Sequence, residues 1–194
     1  MRFIEINPQR DNPLTLIVDE DITLPSEDEQ HAVNLSLITP RHEELAYGRC
    51  SIYREPEGRD YLMISAIYVE GNENNPTIKK PNPHVGLGQL LVYAAMKFGH
   101  EQNVQTTLLS PLPGSEGFYI KMGFYPKVTG NPNRMVNAGD LPRSHKGKLN
   151  PKWLTQFAKS SFLHQDFRGP IWAGSTSLVY LQLKENILKS WTVA

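Results

Sequence analysis

The sequence predicts a single α/β domain, in which a largely antiparallel β region precedes a β-α-β unit. Three observations predict it: strand-like runs fill the first 70 positions, an amphipathic helix follows Pro83, and a second strand and a short helix come next. The chain has 194 residues, of which 39% are hydrophobic, and this suits one domain with one main core. We therefore expect one domain spanning residues 1–194.

Four strand-like runs come first, and they are rich in β-branched and aromatic residues. They cover 14–18, 31–39, 45–53 and 61–69. The last two are joined by a short turn-rich segment from Arg54 to Arg59, which predicts a hairpin. The first third of the chain should therefore form antiparallel strands.

A helix buried on one face is the clearest element of the sequence. Its apolar residues recur at helical spacing: Leu87, Leu90, Leu91, Ala94, Ala95 and Phe98. A strand at 104–109 and a short helix at 115–122, ended by Gly123, follow it. The helix should cross over between two parallel strands.

The rest of the chain is less regular. We expect an inserted segment over 129–173, with a helix at 151–164 that begins after the N-cap Asn150, and a last strand over 177–183. The aromatic residues of this helix, Trp153, Phe157 and Phe162, could form the wall of a pocket or simply bury the helix against the sheet.

Charge and cysteine content limit the classes of partner. The net charge is zero, but residues 1–78 carry six Lys/Arg and 15 Asp/Glu, whereas residues 79–152 carry ten and three. A basic middle favours a polyanionic ligand, and an acidic first half could face a cationic acceptor, although both could be solvated surfaces. Cys50, the single cysteine, is expected to be a buried strand thiol.

The sequence also limits the expected localisation and metal content of the protein. The start of the chain has no secretory signal pattern and no segment has the length of a membrane span, so we expect a cytoplasmic protein without a membrane partner. The six histidines form no ligand spacing, and we expect no metal. Nucleic acid is not an expected partner, and a homodimer stays open.

Two motifs could bind a ligand. The segment Val85-Gly86-Leu87-Gly88 begins the strong helix, where glycines let backbone N–H groups approach an anion such as pyrophosphate. Alone it is a weak signal, because Leu91 occupies the third glycine position of the dinucleotide pattern. The second motif, Phe118-Tyr119-x-x-x-Gly123-Phe124, is a helix that carries a tyrosine and ends on glycine.

The segment at about 61–126 resembles the acyl-CoA-binding core of the GCN5-related N-acetyltransferase (GNAT) superfamily. The resemblance lies in the order and spacing of a strand, the glycine turn, a helix, a second strand and the helix that carries the tyrosine. The resemblance implies a mixed, mostly antiparallel central sheet with a splayed parallel strand pair and flanking helices. It also implies acetyl-CoA as cosubstrate and a primary amine, on a small molecule or on a protein, as acceptor. The acceptor would attack the thioester directly.

The resemblance assigns roles to individual residues. The backbone of the strand at 67–69 would hydrogen-bond the pantetheine arm, and the glycine turn with the first helical turn would hold the pyrophosphate. The expected cofactor-binding residues are Ile67, Tyr68, Val69, Val85, Gly86, Leu87, Gly88 and Gln89. Tyr119 matches the tyrosine that protonates the departing thiolate. Pro111 and Pro113 cannot donate to a strand ladder, which independently predicts a gap after the second parallel strand.

The sequence departs from the family pattern at four positions. Pro83 replaces the usual Arg or Gln before the glycine turn, and Leu112 replaces a common Asn. The positions that often hold a general base are Met63 and Ser65, so deprotonation would need water, Glu70 or His84. These departures leave an alternative, a catalytically inactive GNAT-fold protein that binds acyl-CoA in a regulatory role.

Overall fold

The computed structural model describes residues 2–8, 13–21, 29–54, 60–69, 86–112, 115–126, 171–188 and 191–193. They form nine strands and three helices. The strands are β1 (Arg2–Pro8), β2 (Leu14–Asp21), β3 (Glu29–Ile38), β4 (Glu44–Arg54), β5 (Asp60–Val69), β6 (Thr106–Leu109), β7 (Tyr125–Pro126), β8 (Trp172–Ser175) and β9 (Trp191–Val193). The helices are α1 (Leu87–Glu101), α2 (Glu116–Lys121) and α3 (Thr176–Leu188).

All nine strands belong to one sheet, in the order β7-β8-β6-β5-β4-β3-β2-β1-β9. Only the central pair, β5 and β6, is parallel, and every other neighbouring pair is antiparallel. The four strand-like runs of the first third are confirmed as β2 to β5, and the β-α-β unit is confirmed as β5, α1 and β6. The predicted fold class is therefore correct.

The main core lies between one face of the sheet and the three helices. Alternate residues of β2 to β5 supply one side of it, and α1 supplies seven apolar side chains that are fully or almost fully buried: Leu87, Leu90, Leu91, Val92, Ala94, Ala95 and Met96. α1 packs against β3, β4, β5 and α3. A smaller cluster occupies the opposite face and contains Tyr61, Met63, Leu108, Ile171 and Ala173.

The predicted last strand at 177–183 is wrong, because these residues belong to α3. The buried side chains are Val179, Tyr180, Leu183 and Ile187, whereas Leu178 and Leu181 are 69% and 51% exposed. This spacing follows a helix and not the alternation of a strand. The apolar run at 177–183 spans only seven residues, and Ile187, which completes the helical period, lies beyond it. The last strand is β9, which pairs with β1.

The predicted inserted segment also needs a correction at its C-terminal end. Trp172 and Ala173 lie in β8, which pairs with β6 and β7 inside the sheet. The segment at 127–170, including the predicted helix at 151–164, lies outside the described residues. None of the helices in the described part of the chain is long and apolar enough to span a membrane.

Candidate functional site

The parallel strands β5 and β6 separate halfway along β5. Their pairing runs from Tyr61 with Thr106 to Ile64 with Leu109. Beyond Ile64, β5 continues to Val69 beside β4, and no described strand pairs with its other edge. The pairing ends two residues before Pro111, as the inability of proline to donate to a ladder predicts. The backbone of 65–69 therefore forms a strand edge that faces the gap.

A β-bulge lies at the same point. Arg49 of β4 pairs with Ala66 and Cys50 pairs with Ile64, so Ser65 is an extra residue in β5. The hydroxyl of Ser65 donates a 3.2 Å hydrogen bond to the carbonyl oxygen of Arg49. The bulge changes the direction of the β5 backbone where β6 leaves it. Sequence reasoning missed this feature.

The N-terminus of α1 has the properties of an anion site. Gly86 caps the helix with φ of 90°, in the left-handed region that favours glycine, and its carbonyl accepts a 3.1 Å hydrogen bond from the N–H of Leu90. Among the described residues, no side chain caps this terminus, and the first turn contains no acidic residue. The first N–H groups of the helix are thus available to an anion, which the helix dipole also favours.

Gly88 lies where three elements converge. A Cβ atom added there would lie 3.1 Å from Cζ of Phe118 in α2 and 3.6 Å from Cγ2 of Val69 in β5. The end of β5, the first turn of α1 and the tyrosine helix therefore meet around this glycine. The structure brings together three segments that are separated in the sequence by up to 50 positions.

Tyr119 lies beside this junction. Its ring is in edge-to-face contact with Phe118 and with Phe124, at centroid distances of 5.0 and 6.0 Å. The side chain is buried, and burial raises the pKa of its phenol from 10.0 to about 12. Tyr119 therefore keeps its proton throughout the neutral pH range.

The end of α2 explains why the tyrosine is held there. The N–H of Phe124 donates to the carbonyl of Tyr119 at 3.1 Å and the N–H of Gly123 donates to that of Ile120 at 3.0 Å, with φ of 98° at Gly123. This is the glycine-ended cap that the sequence predicts. It fixes the last turn of the helix, and with it the Tyr119 backbone.

A mostly antiparallel sheet whose central parallel pair splays beside a glycine-capped helix is the arrangement that the resemblance predicts. The fold is thus GNAT-like in its strand order and in its single parallel pair. No family model matches the sequence, and a search of curated proteins gives no significant match.

Solved structures with a similar arrangement include GCN5 from Tetrahymena, at 14% identity over 76% of this chain and 70% of that chain, with a TM-score of 0.42. A GNAT-family acetyltransferase from Staphylococcus aureus Mu50 is 15% identical over 75% and 68%, with a TM-score of 0.41. A bacterial toxin is 11% identical over 87% and 95%, with a TM-score of 0.47. These scores lie below 0.5, so the description of the fold depends only on the strand order and register of this chain.

The predicted cofactor-binding residues occupy different surfaces of the GNAT fold. Ile67 and Val69 pack against the main core, and Tyr68 points to the opposite face, where it stacks on Tyr47. Leu87 is buried and Gln89 is exposed in the first turn of α1. Val85 lies outside the described residues. The roles of all these residues, and of Tyr119, stay predictions.

The other candidate residues that the structure describes give no catalytic group. Met63 is 3% exposed in the smaller cluster. Cys50 is fully buried, and burial raises the pKa of its thiol from 9.0 to about 12, which makes it unreactive. Glu70 and His84 lie outside the described residues. In the part of the chain that the structure describes, no three His, Cys, Asp or Glu side chains are grouped as metal ligands would be.

Sequence reasoning missed Phe118 as a residue of the site, although it named the motif that contains it. The signal was available, because Phe118 directly precedes the tyrosine in the short helix. The sequence does not indicate, however, that the Phe118 ring lies against Gly88.

Proposed function

We propose that the protein is an acyl-CoA-dependent N-acyltransferase that transfers an acetyl group to a primary amine. The observation that carries the proposal is the meeting of the β5 edge, the α1 N-terminus and the tyrosine helix around Gly88. These three elements offer a backbone edge, an anion site and a proton donor. An acyl-CoA molecule presents a peptide-like arm, a pyrophosphate and a thioester, which need these three kinds of group.

The pantetheine arm would pair with the edge of β5 between Ser65 and Val69, as an added strand does. The pyrophosphate would accept hydrogen bonds from the first N–H groups of α1, which no described side chain or acidic residue competes for. Because Gly88 has no side chain, Phe118 and Val69 can lie close to the first turn of α1.

The reaction would be a direct displacement. The lone pair of a neutral primary amine attacks the thioester carbonyl carbon, a tetrahedral intermediate forms, and the C–S bond breaks to give an amide and a thiolate. The nitrogen loses one proton to water, and the thiolate gains one. Backbone N–H groups at the Ser65 bulge are placed beside the end of the parallel pairing, where they could stabilise the oxyanion.

Tyr119 would donate a hydrogen bond to the departing sulfur. With a pKa raised to about 12, the phenol is protonated at every working pH, but it is a weaker acid than a thiol of pKa about 8.5. The phenol would therefore keep its proton while the thiolate takes one from water, and the contribution of Tyr119 would be a hydrogen bond to the developing thiolate.

The test is a thiol-release assay with acetyl-CoA and a set of primary amines, combined with mass spectrometry of the acylated product. We expect stoichiometric CoA and amide. The alternative, an inactive acyl-CoA-binding protein, has some support from the absence of a base at Met63 and Ser65. It would give acetyl-CoA binding in a titration without product from any amine, and that result would reject the enzymatic proposal.

A further inference from the structure

An aromatic pair lies on the sheet face opposite the helices. Tyr47 of β4 stacks on its cross-strand partner Tyr68 of β5, with ring centroids 5.1 Å apart and an interplanar angle of 26°. Tyr47 is 43% exposed, which is unusual for so large a side chain in the middle of a sheet. Its neighbour Ala46 points into the main core, so by alternation Tyr47 points away from α1.

A carboxylate is held next to the pair. Ser36 of β3 lies directly opposite Tyr47 in the register, and its hydroxyl donates a 2.7 Å hydrogen bond to Oε2 of Glu44. Cross-strand partners are about 5 Å apart, so the residue that binds the Glu44 carboxylate is the direct neighbour of Tyr47. An aromatic face and a carboxylate together are the groups that bind an organic cation.

The positive charge of Arg49 on this face is offset by the carboxylate of Glu29. Nη2 of Arg49 lies 3.2 Å from Oε1 of Glu29, which is 2% exposed, and Nη1 donates to Asn34 at 3.3 Å. On the same face of the sheet, Asp19 of β2 is the partner of Asn34 in β3. The first 78 residues, which include this surface, carry 15 acidic and six basic side chains. The local charge therefore favours a cation.

The position of the pair relative to the reaction centre restricts the ligand. Tyr68 lies three residues beyond Ser65, where the parallel pairing ends, and at about 3.3 Å per residue this is about 10 Å along β5. A reacting amine must be neutral, whereas a group bound between an aromatic ring and a carboxylate stays charged. The cation bound by Tyr47 is therefore not the nitrogen that is acylated.

We propose that the acceptor is an aliphatic diamine or polyamine, whose distal ammonium binds at the Tyr47, Tyr68 and Glu44 surface while its other amine reaches the thioester. This inference rests on the proposed function and adds the substrate class. A separation of about 10 Å corresponds to a chain on the order of eight or nine bonds between the two nitrogens. Backbone atoms of β5 would thus face the acyl-CoA, and the Tyr68 side chain would face the acceptor.

The test compares 1,8-diaminooctane with 8-amino-1-octanol, which has the same length but one charge, as acceptors for acetyl-CoA. We expect the wild-type kcat/KM to favour the diamine by about tenfold. Tyr47→Leu and Glu44→Gln should each lower this ratio by raising the KM for the diamine, and Tyr47→Phe, which keeps the ring face, should preserve it. Glu185→Gln, an exposed carboxylate on α3, is the matched control and should change neither value.

The inference would be overturned if the wild-type protein had equal kcat/KM values for the two acceptors, or if Tyr47→Leu left the ratio of these values unchanged. Transfer of the acetyl group to protein N-termini or lysines alone would also overturn it. Titration of 1,8-diaminooctane into the protein without acetyl-CoA tests the surface independently of turnover. Absent binding there overturns the inference while acetyl-CoA binding leaves the proposed function intact. If the protein binds the diamine but not acetyl-CoA, the proposed function is rejected and the cation surface is not.

Discussion

Gly88→Glu should abolish acetyl-CoA binding without unfolding the protein. The residue lies in the first turn of α1, where a carboxylate interacts favourably with the helix dipole and stabilises by about 0.3–1 kcal/mol. Replacing glycine within a helix contributes up to about 1 kcal/mol more. Against this, the new Cβ would lie 3.1 Å from Cζ of Phe118, a ring edge that must shift by a few tenths of an ångström. The net change in stability should be small.

The effect on binding is much larger. A carboxylate about 5 Å from one pyrophosphate charge costs about 3 kcal/mol at an effective dielectric constant of 20, which weakens binding more than 100-fold. Isothermal titration calorimetry with acetyl-CoA measures the affinity, and circular dichroism melting measures the stability. Leu178→Glu controls for the added charge, because it lies at an exposed position of α3. Gly117→Ala controls for the loss of a helical glycine, because a Cβ there would meet no described atom within 4 Å. Wild-type affinity in a folded Gly88→Glu protein would refute the site.

Three further predictions test the tyrosine, the last helix and the buried thiol. Tyr119→Phe should lower kcat by about 100-fold with little change in the Kd for acetyl-CoA, and unchanged single-turnover rates would limit Tyr119 to packing. Leu183→Ala should lower the free energy of unfolding in urea by about 2–5 kcal/mol, whereas Leu181→Ala should change it by less than about 0.5 kcal/mol; similar losses would contradict the helical assignment of α3. Because the pKa values of Cys50 and Tyr119 are raised to about 12 from 9.0 and 10.0, the unfolded chain releases these protons first. Below pH 9 these groups should therefore not change the free energy of unfolding. Between about pH 9 and 12 they should lower it by up to about 1.4 kcal/mol per pH unit for each group. A free energy of unfolding that stays constant over this alkaline range would argue against their burial.

The fold could be predicted from sequence because its signals are local. The strand runs, the one-sided apolar face of α1 and the glycine end of α2 each depend on neighbouring residues, and the order of elements then fixes the parallel pair. The interpretation failed at 177–183, where a continuous apolar run fits a strand or a buried helix equally well. There, the packing of Leu183 and Ile187 against the core decides, and packing is a tertiary property.

The site was predicted in part, for a related physical reason. Prolines after β6 and glycines before α1 act on their own backbone, so the gap and the helix cap could be anticipated. The bulge at Ser65 depends on register between two strands, and the stacking of Tyr47 on Tyr68 depends on cross-strand pairing. Neither leaves a pattern within a single segment.

The central claim is that acyl-CoA lies along the edge of β5 and at the N-terminus of α1. Hydrogen–deuterium exchange with and without acetyl-CoA measures this directly, because edge amides and the first amides of a helix lack partners within their own element and exchange fast until a ligand binds them. We predict slower exchange in peptides that cover 65–69 and 86–90, with no change in 14–21. Protection confined to other segments, or none at saturating acetyl-CoA, would contradict the account.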